Sequence, residues 1–314
     1  MTSTNASRAR NTLLGAILLL AISAWLLVNL PRNSLWYDEA LTTYVATHSW
    51  QELFRWCTQV DIQVPLHYIV LRFWATLIGD SEFSLRLLSA FCALLAAAAT
   101  IATGRKLSRR TGVGSFIGYS AAILLVALPG MLWLGYEVRA YALGLALYAW
   151  ATAFLCELIS IFPHPLSVGE GLRVAGLPRK TWIALIYALL MIAALYTHYT
   201  AIGGFAAHLA ILGVAAIVQR SRALLRTLIT VTLIVGIGFA PWLPILLTRS
   251  AADRSYYVGT PIPPDRSVAV MLGFKLLGRE DSPPVALPLV VAYLGLMLLG
   301  AAVAFGTRQW RSAL

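Results

Sequence analysis

Pro65-Leu66-His67-Tyr68-Ile69-Val70-Leu71-Arg72-Phe73-Trp74-Ala75-Thr76-Leu77-Ile78 decides how the chain meets a membrane. The stretch is apolar enough to enter lipid. As a helix rising about 1.5 Å per residue, however, it extends only about 21 Å, against a hydrocarbon core of roughly 30 Å. It is therefore expected to lie in the interface without crossing. A crossing here would also carry the basic run at 104–110 to the opposite side and break the charge pattern of the chain.

Outward from this stretch, apolar blocks recur at 11–30, 85–102, 112–134, 141–162, 182–196, 201–218, 224–247 and 285–305. Most approach the roughly 20 residues that a spanning helix requires, so about eight spans are expected. The runs are continuously apolar and do not alternate, which argues against a β-barrel. With 59% hydrophobic and 12% charged residues among 314, the composition excludes an ordinary soluble domain. The expected class is an all-α, polytopic integral membrane protein. It forms a single membrane domain over 1–314, with interfacial helices in a first outer loop at 31–84 and another long outer loop at 248–284.

Arginine and lysine set the orientation, because short cytoplasmic loops carry their excess. A cytoplasmic N-terminus places Arg8 and Arg10, Arg105 through Arg110, Arg173, Arg179 and Lys180, Arg220 through Arg226, and Arg308 and Arg311 on the cytoplasmic side. Asp38, Glu39, Asp61, Asp80, Glu82, Glu137, Asp253, Asp265, Glu280 and Asp281 then fall on the other. The net charge of +11 is thus a topology signal rather than a nucleic-acid patch. The first apolar run is long and lacks a small-residue cleavage site, so it is read as a retained helix. Cys57, Cys92 and Cys156 are too scattered to suggest a disulfide.

Just past the first span stands Trp36-Tyr37-Asp38-Glu39-Ala40. Adjacent carboxylates at a membrane edge are costly and mark a candidate site, although acids also suit the first turn of a helix. Helical neighbours point about 100° apart, so the two acids cannot duplicate one role. Asp38 is the candidate base, and Glu39 is read as anchoring the loop. An amphipathic helix is expected from Asp38 to about His48, followed by the capping box Ser49-Trp50-Gln51-Glu52. Arg86 lies about one turn inside the second span, where it either snorkels to the headgroups or meets an anion. Glu137 and Arg139 crowd a short loop, and residues two apart share no helix face, so each is expected to have a partner elsewhere. His198 closes the fifth span. The last outer loop carries Arg254, Tyr256, Tyr257, Arg266, Lys275 and Arg279, a content suited to an anionic headgroup.

In order and spacing, these segments resemble the polytopic GT-C glycosyltransferases that use lipid-phosphate sugars, the superfamily of protein O-mannosyltransferases and aminoarabinose lipid A transferases (glycosyltransferase family 39-like). The resemblance runs from about residue 11 to residue 220. It rests on the acid pair Asp38 and Glu39, on Asp61 through Tyr68 (like Asp-x-His-Pro-Pro-Leu-Tyr-Tyr), and on Gly79 through Leu87 (like Gly-x-Ser-Glu-Phe-x-x-Arg-Leu). Glu137-Val138-Arg139-Ala140-Tyr141 and Thr197-His198-Tyr199 complete it. Gln63 and Val64 depart from the usual His-Pro, and His67 from the usual Tyr.

The resemblance implies an enzyme that moves a sugar from a polyprenyl-phosphate donor to a lipid, glycan or protein acceptor. The reaction would take place on the outer, periplasmic face of the plasma (inner) membrane. It implies catalytic roles for Asp38 and Glu39, and donor phosphate binding by Arg86, Arg139 and Tyr141. Asp61, His67, Tyr68, Glu137, His198 and Tyr199 would line the site. A divalent cation, Mg or Mn, is a further expectation at Asp38 with Glu137. A lipid or sugar transporter or flippase, and an inactive assembly partner, remain as other classes. A transporter more often shows internal repeats and broken midplane helices.

The threading is checked with single cysteines in a background lacking Cys57, Cys92 and Cys156. A thiol at position 80 or 255 is expected to react with an impermeant reagent on intact cells, and one at 108 only after permeabilisation. Labelling of position 108 from outside would overturn the threading.

Overall fold

The computed structural model describes residues 2–30, 34–111, 116–161, 173–174 and 177–252. The expected eighth span and the last outer loop lie outside the described residues. What is described is helical, apart from one two-residue antiparallel ladder that pairs Arg173 with Pro178 and Val174 with Leu177. The helices are α1 (Thr2–Val28), α2 (Tyr37–Thr47), α3 (Trp50–Arg55), α4 (Leu66–Ile78), α5 (Glu82–Thr111) and α6 (Phe116–Ala127). They continue with α7 (Pro129–Leu134), α8 (Tyr141–Ile161), α9 (Arg179–Leu195), α10 (Ala201–Val218), α11 (Arg222–Phe239) and α12 (Leu243–Ala252).

Five helical segments are long and apolar enough to cross a membrane: Ala9–Val28, Glu82–Leu107, Tyr141–Ser160, Ala201–Val218 and Arg222–Ser250. Large apolar side chains on their flanks face outward, with Leu20 70%, Ile217 77% and Ile237 72% exposed. A water-soluble fold would bury such residues, whereas lipid accepts them. The chain is therefore a helical membrane protein. The expected block 112–134 is not one helix among the described residues. It breaks at Leu128, which is extended (φ −66°, ψ 124°) ahead of Pro129, because a proline disfavours the helical conformation of the residue before it.

The segment between α1 and α5 leaves and returns at the same end of the bundle. Leu35 N donates to Glu82 Oε1 at 3.3 Å, and Trp74 Nε1 on α4 donates to Ser84 O at 2.7 Å. α4 has 13 residues and stops at Gly79, whose φ of +99° lies where only glycine is unstrained. Its apolar face, with Tyr68 and Leu71, packs into a core shared with Val45, Leu53, Leu85 and Leu88. A second core joins α8, α9, α10 and α11, and a third joins α1, α5 and α6.

Charge is divided between the two ends. At one, Lys106 Nζ sits 3.1 Å from Glu157 Oε2, Arg179 pairs with the other oxygen of Glu157, and Arg105 Nη2 donates to Asn11 O at 2.7 Å. At the other, Asp38, Glu39 and Glu137 gather with Arg86 and Arg139.

Candidate functional site

The acidic end is built on the first turn of α2. Trp36 is extended and precedes the helix. Glu39, three residues on, turns back so that Oε2 accepts the Trp36 N–H at 3.2 Å. This half of a capping box fixes the entry of α2. The same carboxylate accepts from Arg86 Nη2 at 2.8 Å and Arg86 Nε at 3.3 Å, and its Oε1 takes the Val138 N–H at 2.9 Å. Glu39 is 1% exposed and Arg86 3%. One buried carboxylate thus ties together the start of α2, the start of α5 and the loop at 135–140.

Arg86, expected at a donor phosphate, pairs with Glu39 and donates to Ser34 O at 3.4 Å. The pairing has a physical reason. One turn inside a span, a guanidinium is desolvated and must be paired, and Glu39 supplies the carboxylate. Glu39 correspondingly faces inward and lies among donors.

Asp38, about 100° further round the helix, points the other way. Its side chain is 35% exposed, and Oδ2 lies 3.4 Å from Arg139 Nη2, which is 18% exposed. Arg139 also reaches Asp38 O at 3.5 Å and Thr42 Oγ1 at 3.4 Å, and it interacts with the Tyr141 hydroxyl. Contacts of this length are weak. Arg139 is therefore held loosely, beside Tyr141, whose ring centre is 5.9 Å from Cζ.

Two buried groups flank this pair. Glu137 is 2% exposed and neither carboxyl oxygen completes a hydrogen bond. Burial, and then the charge of Glu39, lift its carboxyl from 4.5 to about 8, with Arg139 acting against them. Burial therefore favours its protonated form. His67, in the first turn of α4, is 3% exposed with both ring nitrogens unpartnered. Burial and the Arg139 charge pull it down from 6.5 to about 3. Among the described residues no three His, Cys, Asp or Glu side chains gather as a cation site.

Thr42, His67, Tyr68, Arg139, Tyr141 and His198 enclose a slot of about 10 Å³, room for one water at most. Next to it, sharing Tyr141 and His198, opens a cavity of about 260 Å³ walled by α8, α9 and α10. His198 is steadied there by Thr200, whose hydroxyl lies 3.0 Å from Nδ1. Two expected lining residues are engaged elsewhere. Asp61 accepts from Ile62 N at 2.7 Å at the end of the turn after α3, and the Tyr199 hydroxyl accepts from Trp242 Nε1 at 3.0 Å. Thr42, Tyr148 and Gly204 were not singled out from the sequence. Thr42 is one turn from Asp38, and Tyr148 is two turns from Tyr141, so the helical period carried the signal. No family model, curated protein or solved structure matches the chain.

Two outcomes follow. Arg86→Met leaves Glu39 buried and uncompensated, a loss expected at roughly 3–5 kcal/mol, read as a fall in unfolding temperature in detergent. Adding Glu39→Gln should recover part of it, and an unchanged unfolding temperature in Arg86→Met would contradict the tie. For Glu137, the folded state raises the pKa, so its contribution is complete below about 4.5 and is lost as pH rises through about 8. Across that window the wild type is expected to lose thermal stability relative to Glu137→Gln. Parallel curves would contradict a neutral Glu137.

Proposed function

We propose that the chain is a membrane glycosyltransferase that moves a sugar from a polyprenyl-phosphate donor to a hydroxyl acceptor at the outer face of the plasma membrane. The observation that carries this reading is the long Asp38/Arg139 pair, whose Arg139 lines a slot that shares Tyr141 and His198 with a mostly apolar cavity of about 260 Å³. It sets a partly exposed carboxylate and a weakly paired guanidinium one slot away from space for a lipid. The fuller architecture we propose is GT-C-like, with eight spans and a cytoplasmic N-terminus. The gathering of Arg105, Lys106 and Arg179 at the end opposite the site supports that orientation.

Asp38 accepts the proton of the acceptor hydroxyl as its oxygen attacks the anomeric carbon. The bond from that carbon to the phosphate oxygen breaks, and the electron pair leaves on the phosphate, where the Arg139 fork holds it. Arg139 cannot serve Asp38 and the phosphate fully at once. The donor phosphate therefore displaces Asp38 from Arg139, and the carboxylate is released as the donor arrives. The pair is partly exposed and its closest approach is long, at 3.4 Å, so the exchange costs little. Tyr141 and His198 line the path between the slot and the cavity. Neutral Glu137 closes the inner side without adding a second negative charge against the phosphate.

The test uses purified full-length protein with a radiolabelled polyprenyl-phosphate sugar in mixed micelles. Wild type is expected to release or transfer the label. Asp38→Asn should lose at least about 10²-fold in turnover while binding the donor as tightly or more tightly, because Arg139 loses its competitor. Arg139→Lys should weaken donor binding, since an ammonium cannot make the bidentate contact. Donor left intact by wild type, or moved across a vesicle membrane without cleavage, would sink the enzyme reading in favour of an inactive partner or a transporter.

A further inference from the structure

One polar cluster among the helices has no part in the transfer chemistry. His208, inside α10, is 2% exposed. Its Nε2 lies 3.1 Å from Thr152 Oγ1 on α8, and its Nδ1 lies 3.3 Å from the Tyr187 hydroxyl on α9. The flat of the imidazole meets the Tyr148 ring at 4.6 Å between centroids and 13° between planes. An ionisable side chain at this depth is costly and marks a functional position. Holding Tyr148 in place is a function that the geometry supplies.

Tyr148 is also seated from the other side. A Cβ at Gly204 would fall 2.4 Å from Tyr148 Cε2, so the ring occupies a recess that only glycine leaves. The hydroxyl adds little, at 3.4 Å from Gly204 O. His208 and Gly204 seat the ring against α10, and it forms a wall of the cavity of about 260 Å³ that also carries Tyr141 and His198. Tyr141 and Tyr148 are two turns apart on one face of α8, about 10 Å along the helix. The rest of the wall includes Met131, Leu134, Leu145 and Ala194 and carries no charge. Such a lining takes hydrocarbon, and a rigid ring at one side discriminates by the bulk of that hydrocarbon.

We propose that Tyr148 is a specificity-determining residue, a fixed gauge that limits how bulky an apolar group a substrate can seat beside its phosphate, with His208 and Gly204 as its positioning residues. The substrate half of this rests on the proposed transfer reading. The gauge itself rests on the packing.

Two readouts keep the halves apart. The first uses no substrate: a thiol at Gly144→Cys, where a Cβ meets nothing closer than 3.7 Å, is reacted with methyl and with benzyl methanethiosulfonate in protein lacking the native cysteines. Gly204→Ala, which drives the ring into the cavity, should slow the benzyl reagent relative to the methyl one by roughly tenfold, the size of one misfitted methylene in an apolar pocket. Tyr148→Ala and His208→Ala should speed it, while Tyr148→Phe and His208→Phe, which keep the ring or the stack, should match wild type. A ratio unchanged in Gly204→Ala and Tyr148→Ala overturns the gauge.

The second readout is binding of dodecyl phosphate and of methyl-branched farnesyl phosphate to the full chain. Tyr148→Ala should shift preference toward the branched chain. Binding of both phosphates with one fixed preference in every variant overturns the specificity role. Shifted thiol ratios with no phosphate binding by wild type would uphold the gauge and bring down the transfer reading instead.

Discussion

A single buried carboxylate constrains the whole site. Glu39 receives the Trp36 and Val138 N–H groups and the fork of Arg86, three segments far apart in sequence. In a desolvated setting none of these donors can be abandoned without a penalty of kcal/mol size. The acid therefore fixes where α2 begins, how α5 enters the bundle and how the loop before α8 is held. Because Val138 is pinned, Glu137 and Arg139 on either side of it are presented to opposite surroundings. Glu137 is buried, and Arg139 lies partly buried at the slot.

Adjacent residues consequently work in different dielectric regimes. The Glu39/Arg86 pair is buried and rigid, and it serves as frame. The Asp38/Arg139 pair is partly exposed, with its closest approach at 3.4 Å, and is weak enough to open for a ligand. A reactive pair must be able to change partners and a structural pair must not. The 100° step between Asp38 and Glu39 lets one turn of helix supply both. The neutral state of Glu137 belongs to the same economy, since a third ionised carboxylate there would repel any phosphate brought to Arg139.

Much of this was legible in the sequence, and the gaps have physical causes. The length of α4 was legible as a short apolar helix of 13 residues, and the contact of Leu35 with Glu82 brings the two ends of the segment together. The charge division between the ends followed from the arginine and lysine pattern. The type and depth of Arg86 are visible in sequence, but its partner 47 residues earlier is not. The break before α7 was not read from the block 112–134, although Pro129 carries its signal. The neutral state of Glu137 was not legible, because it arises from burial. Tyr148 follows Tyr141 by two turns and was within reach of a periodicity argument, whereas the recess at Gly204 and the stack on His208 exist only when α8 and α10 meet.

The most direct test of the division between frame and working pair is an experimental structure of the full chain with polyprenyl phosphate bound. Phosphate density within hydrogen-bonding distance of Arg139, with Asp38 turned away and the Glu39/Arg86 pair intact, is the predicted result. Phosphate seated on Arg86 with Glu39 displaced, or Asp38 still paired to Arg139 beside a bound phosphate, would contradict it.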